Sequence, residues 1–251
     1  MQLVRQLGLP ALHPQALRGC VALLDDGFYT DSGINFSTKL EHSETCITGM
    51  VQASAAHFRC ADERVQRLVE YLLAEQMPDG GWNCLRFRGA THSSMHTTIS
   101  VLESLREYET CVVVGRVPSR GAPQRPLGAA GLQQLVRAAQ ARGREFLLRH
   151  RLFRSHRTGA VIEPSWTRFS FPPRWHYDIL RTLDYFRDCN AERDDRLQEA
   201  IEIVRKRRQP DGRWLLQNRY PGAVFFEMEK VGTPSRWNTL RALRVLEWWN
   251  S

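Results

Sequence analysis

Residues 76–82 read Gln-Met-Pro-Asp-Gly-Gly-Trp, and residues 209–214 read Gln-Pro-Asp-Gly-Arg-Trp. Each copy follows a stretch with helical periodicity and precedes a loop that leads into a second helical stretch. Asp and Gly favour a turn that closes a helix, because Asp bonds the following backbone and Gly accepts a positive φ. The large, flat Trp that ends each copy is suited to wedge between neighbouring helix ends. Two such turns at matching points predict a repeated helical hairpin.

The rest of the chain extends this pattern to about four hairpins, each with an outer amphipathic helix and an inner helix. Residues 30–33, Thr-Asp-Ser-Gly, are similar in place to the two later turns, and Asp62 is predicted to cap an outer helix. Outer helices are predicted near 14–24, 62–76, 132–150 and 194–208, and inner helices near 44–58, 92–108, 175–188 and 236–249. We therefore predict a single all-α domain over 1–251.

One segment interrupts the helical pattern. Residues 115–131 are rich in Gly, Pro and Arg, which predicts a flexible insertion.

The composition is that of an ordinary water-soluble globular protein, with 42% hydrophobic and 25% charged residues. No run approaches the ~18 consecutive apolar residues of a membrane span. Residues 1–10 lack the basic start and apolar run of a secretory signal, so we expect a cytoplasmic protein. The six cysteines occur singly, without a Cys-x-x-Cys pair, which in such a chain favours reduced thiols.

The net charge of +8 comes mainly from arginine, which is densest over 137–157. Arginine binds planar oxyanions, so a phosphate-bearing ligand or a nucleic acid is one interpretation. No stacking aromatic residues are interleaved with this charge, so the solvated face of an outer helix is the favoured interpretation. Nucleic acid is not an expected partner.

The two turns resemble the QW-type repeats of terpene cyclases and protein prenyltransferase β subunits. That family folds as an α/α toroid, an inner ring of helices within an outer ring around a central ligand cavity. The chain is most similar to short bacterial members with prenyltransferase and squalene-oxidase repeats, whose segments look like 175–180 and 235–241. The resemblance implies a toroid-like fold over the whole chain. About four hairpins are few for a closed ring, so the ring is either open or completed by a homo-oligomer or a partner subunit.

The chain departs from the family's catalytic motifs. It has no Asp-x-Asp-Asp acid motif; Asp194-Asp195 and Asp25-Asp26 lack the remaining carboxylate. The Asp-x-Cys zinc pair of the prenyltransferases is also missing, because Asp178 is followed by Ile179 and Leu180. These departures favour a non-catalytic ligand-binding or scaffold protein as the alternative to an enzyme.

Polar side chains recur where the inner helices begin, and convergence of these helix N-termini would favour an anion or a polar head group. His176 and Asp178 are the predicted catalytic residues, since an Asp buried beside aromatic rings has a raised pKa and donates a proton. The alternative is that Asp178 is a buried structural residue. The predicted ligand-binding residues are Trp175, Tyr177, Arg236, Trp237, Asn238 and Cys46.

Cys84, His92 and His96 form the most metal-like set in the sequence. On one helix, His92 and His96 would share a face, and Cys84 would reach back from the preceding loop to a zinc ion. The alternative is that His92 caps the helix and Cys84 packs. The predicted function is therefore a toroid protein that binds an apolar or isoprenoid-like ligand, with cyclisation, isomerisation or prenyl transfer as the reactions that the resemblance implies.

Overall fold

The computed structural model describes residues 1–113, 129–222, 224 and 226–251. Helix accounts for 54% of the structure beside two short strands, which confirms the prediction of an all-α chain. The chain divides into two compact units, Met1–Phe146 and Leu147–Ser251. The single domain and the toroidal arrangement of all the hairpins stay predictions. Most of the predicted insertion lies outside the described residues, and its last three residues, 129–131, belong to a helix.

The first unit contains two of the predicted hairpins and an additional helix on either side of them. Its helices are α1 (Gln2–Gln6), α2 (Pro14–Gly27), α3 (Thr45–His57), α4 (Glu63–Ala74), α5 (Met95–Val113) and α6 (Ala129–Arg149), of which α6 extends into the second unit. Asp62 caps α4 as predicted, because its carboxylate accepts the Arg64 N–H at 2.9 Å. The start of α5 was predicted at residue 92 and lies at Met95 instead. The short α1 was not predicted.

The second unit contains three helices and the two strands. The helices are α7 (Ile179–Asp188), α8 (Gln198–Lys206) and α9 (Arg236–Asn250), and the strands are β1 (Trp214–Leu215) and β2 (Pro234–Ser235). The strands pair antiparallel, with Trp214 opposite Ser235. The predicted helix at 194–208 begins with a 3-10 turn, Asp195–Leu197, before α8. No helix in the described ranges combines the length and the apolar character that crossing a bilayer requires.

The two predicted turns close in the same way. In each copy, the residue before the proline donates its backbone N–H to the carbonyl four residues on, from Met77 to Gly81 at 2.9 Å and from Gln209 to Arg213 at 2.8 Å. Gly80 has a φ of 98°, a left-handed conformation that glycine adopts without steric strain. The repeated sequence therefore encodes a repeated backbone conformation.

The tryptophan that ends each turn is fully buried and fixes the end of the preceding helix. The indole Nε1–H of Trp82 donates to the Leu72 carbonyl of α4 at 2.7 Å. That of Trp214 donates to the Val204 carbonyl of α8, also at 2.7 Å. The first bond satisfies a carbonyl in the last turn of α4, and the second adds to the bond that the Val204 carbonyl accepts from the Arg207 N–H at 3.3 Å. Each indole thus bonds the end of the helix before it, and wedging between neighbouring helix ends stays a prediction.

The backbone N–H of the same tryptophan donates to a threonine at the fourth residue of the following helix. The acceptors are the hydroxyls of Thr98 in α5 and Thr239 in α9, each at 3.0 Å. Residues 29–33 form the same turn in the first hairpin, where Ile34 takes the place of the tryptophan and donates to Thr48 of α3 at 2.9 Å. The first, second and fourth hairpins thus share one connection.

The two inner helices of the first unit pack closely and run parallel. A Cβ added to Gly49 of α3 would lie 3.1 Å from the Ser100 carbonyl oxygen of α5. One turn further along both helices, Gln52 of α3 accepts a hydrogen bond from Ser104 of α5. The residue numbers of the contacting positions increase in the same direction along both helices, so the two N-termini lie at the same end.

We predict that Thr98→Val and Thr239→Val each lower the free energy of unfolding by about 1–3 kcal/mol, because each leaves a buried backbone N–H without an acceptor. Denaturant unfolding of each variant measures the change. The matched control is Thr110→Val on the exposed face of α5, where we expect a change within about 0.5 kcal/mol. Equal effects at Thr98 and Thr110 would show that the turn connection contributes nothing.

Candidate functional site

A cavity of about 410 Å³ lies in the first unit, beside the N-terminus of α3. The turn of the first hairpin, the helix α4 and the loop after the second turn supply its walls. Its lining residues include Asp31, His42, Arg67, Tyr71, Cys84 and Phe87. The cavity therefore combines charged groups, aromatic rings and a thiol.

Asp31 is held rigidly in the wall by the segment that precedes α3. Its carboxylate accepts the Ser43 hydroxyl at 2.6 Å, the Ser43 N–H at 2.9 Å and the Gly33 N–H at 3.0 Å. Burial alone would raise the pKa of Asp31, but the hydrogen bonds from Ser43 and Gly33 lower it. The second turn repeats the arrangement, because Asp79 accepts the Ser93 N–H at 2.8 Å. In each hairpin, this serine–aspartate hydrogen bond fixes the turn against the segment just before the inner helix.

The opposite wall comes from α4 and the loop after the second turn. Arg67 donates to the Ser32 hydroxyl at 2.9 Å, which ties α4 to the first turn. Tyr71 is partly buried, and burial raises the pKa of its hydroxyl. The rings of His42 and Phe87 lie 4.8 Å apart and form an aromatic edge. These side chains give the cavity an apolar side and a polar side.

Cys84 and Cys46 meet at this cavity. The Cys84 sulfur accepts the backbone N–H of Cys46 at 3.1 Å and the hydroxyl of Thr97 at 3.4 Å. A hydrogen bond from the Cys46 thiol lowers the pKa of Cys84 most, burial opposes it, and the Thr97 hydroxyl lowers it further, to about 7. Cys46 was predicted to bind ligand and Cys84 to bind metal; the structure brings the two together through the bond from the Cys46 backbone N–H to the Cys84 sulfur.

The predicted metal set does not assemble. His92 precedes α5 by three positions, so it does not share a helix face with His96, and its ring accepts or donates a 2.9 Å hydrogen bond with Thr91. Within the described parts of the chain, no three His, Cys, Asp or Glu side chains are grouped to hold a metal ion. The sequence argument failed because it began the helix at residue 92.

The predicted catalytic residues lie in the second unit, where Asp178 caps α7. Its carboxylate accepts the Arg181 N–H at 2.7 Å and the Ser170 hydroxyl at 2.8 Å, and the side chain is fully buried. His176 is stacked between Trp175 and Tyr220, with ring centroids 3.7 and 3.5 Å away. This geometry favours the structural alternative for Asp178. Acid–base catalysis by the two residues stays a prediction.

The remaining predicted ligand-binding residues also lie in the second unit. Tyr177 is fully buried and donates its hydroxyl to the Leu152 carbonyl at 2.6 Å. Asn238 is fully buried near the start of α9 and donates its side-chain amide to the Leu215 carbonyl at 3.1 Å.

The other aromatic and basic members of the predicted ligand set are more accessible. Trp237 stacks on Phe171 at 5.1 Å. Arg236 is exposed and lies 3.5 Å from Glu229. Trp175 is also exposed, at 43% of its surface.

The basic stretch is partly neutralised by ion pairs within each unit. Arg137 of α6 pairs with Glu109 at 2.8 Å, and Arg154 pairs with Glu199. This pairing is typical of a solvated helical face, the interpretation that the sequence favoured.

Sequence reasoning missed most of the cavity wall, including His42, Arg67, Tyr71 and Phe87. It also missed the threonine at the fourth residue of the inner helices, although Thr48 and Thr98 were visible in the sequence.

In comparison with known proteins, the chain matches no family model and no curated protein. The resemblance of the turns to QW-type repeats stays a prediction.

We predict that Asp178→Ala lowers the free energy of unfolding by about 0.5–2 kcal/mol, because α7 loses its N-terminal cap. Asp188→Ala, at the other end of the same helix, is the control and should change it by less than about 0.5 kcal/mol. Denaturant unfolding distinguishes the two. An Asp178→Ala protein as stable as the wild type would contradict the structural role of Asp178 and favour the catalytic one.

We predict that Cys84 reacts with iodoacetamide with a midpoint near pH 7, because its pKa is lowered to about 7. Mass spectrometry of alkylated peptides measures the rate at each pH, with the denatured protein as the reference for ordinary thiols. Cys46→Ala removes the thiol donor and keeps the backbone N–H, so the Cys84 rate at pH 7 should fall by roughly tenfold. An unchanged rate would show that the Cys46 thiol does not stabilise the Cys84 thiolate.

Proposed function

We propose that this chain binds a small ligand with a polar head group and an apolar body in the cavity of the first unit. The observation that carries the proposal is the cavity itself, whose charged and aromatic walls meet at the N-terminus of α3. The polar residues where the inner helices begin led us to expect a ligand's head group at the start of an inner helix. Concave sites with an apolar surface and a few fixed polar groups are the usual sites for small molecules.

The charged side chains that line the cavity indicate which charge the ligand's head group can carry. The carboxylates of Asp31, Glu70 and Glu75 line the cavity together with the guanidinium of Arg67. A diphosphate would meet more like charge than opposite charge there, whereas a hydroxyl or an amine would find acceptors. We therefore propose a neutral or cationic head group in place of the anion that the helix N-termini suggested.

The isoprenoid-like body of the ligand rests on the family resemblance. The rings of Tyr71 and Phe87 supply apolar surface of the kind that a branched hydrocarbon chain would cover. Cyclisation, isomerisation and prenyl transfer are the reactions that the resemblance implies, and ligand binding is the step common to them.

A second candidate is a binding protein that does not transform its ligand. It is favoured by how two of the acids are used, because Asp31 and Asp178 both accept several hydrogen bonds from neighbouring backbone and side-chain groups. These bonds hold both carboxylates in structural roles. Product analysis after incubation with a prenyl alcohol separates the two, since an enzyme yields new products and a binding protein returns the alcohol unchanged.

We predict that a prenyl amine or alcohol binds more tightly than the diphosphate with the same tail. Isothermal titration calorimetry with the three compounds measures the order. Phe87→Ala should weaken binding of all three by roughly tenfold, because it removes an aromatic wall. Glu70→Gln should weaken the amine most, while the control Glu202→Gln on α8 in the second unit should leave all affinities unchanged. Tightest binding of the diphosphate would overturn the proposed head-group preference.

A further inference from the structure

The contact between Cys46 and Cys84 joins two parts of the first unit that lie 38 positions apart in sequence. Cys46 is the second residue of α3, and Cys84 lies in the loop that follows the second turn. The backbone N–H of Cys46 donates to the Cys84 sulfur at 3.1 Å. The two cysteines are therefore already in contact, and both are free thiols.

The surroundings of Cys84 differ from those of Cys20 and Cys111. The Cys46 N–H and the Thr97 hydroxyl both donate to its sulfur, and the N-terminal end of α3 adds a favourable partial charge for an anion. Burial in apolar surroundings instead raises the pKa of Cys20 to about 12 and that of Cys111 to about 11. The surroundings of Cys84 thus favour a thiolate, and Cys20 and Cys111 serve as unreactive thiols for comparison.

A reactive thiolate must also be accessible to its reagent, and the cavity gives access to the Cys84 sulfur. Cys84 is one of the lining residues, so a small molecule that enters the cavity reaches the sulfur. Cys46 is half-buried at the start of α3 and is not among the lining residues. We therefore expect a reagent in the cavity to meet Cys84 first.

We propose that Cys84 and Cys46 form a peroxide-reactive thiol pair, in which Cys84 attacks the peroxide and Cys46 resolves the product as a disulfide. The proposal does not depend on the ligand proposed above. Its substrate class is a small hydroperoxide.

The chemistry proceeds in two balanced steps. The Cys84 thiolate attacks one peroxide oxygen, the O–O bond breaks, and the leaving oxygen takes up a proton, so that hydrogen peroxide releases water and an organic hydroperoxide releases its alcohol. Cys84 is left as a sulfenic acid. The Cys46 sulfur, having lost its proton, then attacks the Cys84 sulfur and displaces hydroxide, which takes up that proton as water. The peroxide is reduced by two electrons and the thiol pair is oxidised by two; an external dithiol restores the thiols by exchange.

The disulfide would tie the first turn of α3 to the loop after the second turn. It would also remove the thiolate acceptor from the Cys46 N–H. Oxidation therefore changes the cavity wall.

The test treats the folded protein with hydrogen peroxide and then maps its thiols by mass spectrometry. We expect loss of two of the six thiols, a mass lower by two hydrogen atoms, and a crosslinked peptide that joins Cys46 to Cys84. Cys84 should react roughly tenfold or more faster than Cys20. Dithiothreitol should restore all the thiols.

Two variants separate the roles. Cys46→Ser should leave Cys84 as a sulfenic acid that dimedone captures, whereas Cys20→Ser should form the disulfide as the wild type does. A crosslink between other cysteines, such as Cys20 and Cys60, would overturn the proposal. So would Cys84 oxidation at the rate of Cys20, or a Cys46→Ser protein that captures no dimedone. Circular dichroism of each variant checks that it is folded.

Discussion

The hydrogen bond between the backbone N–H at the end of a turn and a threonine at the fourth residue of the next helix determines how the hairpins are built. In the second hairpin, Trp82 donates this bond to Thr98 and uses its indole to bond the end of α4. One residue thereby fixes the end of the outer helix, the turn and the start of the inner helix. Because Trp82 is fully buried, its N–H would have no water to bond if the threonine were lost.

In the third hairpin, different residues make the connection between the inner helix and the segment before it. Its threonine, Thr182, donates to the Asp178 carbonyl of its own helix, and the connection to the preceding segment comes from Tyr177 and Asp178. Tyr177 bonds the Leu152 carbonyl, and Asp178 bonds Ser170. Tyr177 and Asp178, which the sequence suggested as a ligand-binding and a catalytic residue, therefore also make a structural connection. Their polarity serves a connection that tryptophan and threonine make elsewhere.

The helices could be predicted from the sequence because periodicity and caps such as Asp62 are local signals. The start of α5 was misplaced because its loop holds the polar residues His92 to Ser94, which resemble a helix start. The Cys46–Cys84 contact could not be predicted, since it depends on how closely α3 packs against α5. That approach is set by Gly49 against the Ser100 backbone, a tertiary contact between residues 51 positions apart (100 − 49). The threonine pattern was visible, but its bonding partner was not.

The cap of α3 links the fold to the chemistry of the cavity. Asp62, Asp178 and Ser235 cap α4, α7 and α9 with an oxygen atom, whereas Glu44 makes no side-chain cap bond to any residue that the structure describes. The sulfur of Cys84 supplies an acceptor for the first turn of α3 instead. A thiolate accepts hydrogen bonds better than a thiol, so the helix is best capped when Cys84 is ionised. The interaction that completes this helix therefore also favours the Cys84 thiolate, beside the larger effect of the Cys46 thiol on the pKa of Cys84.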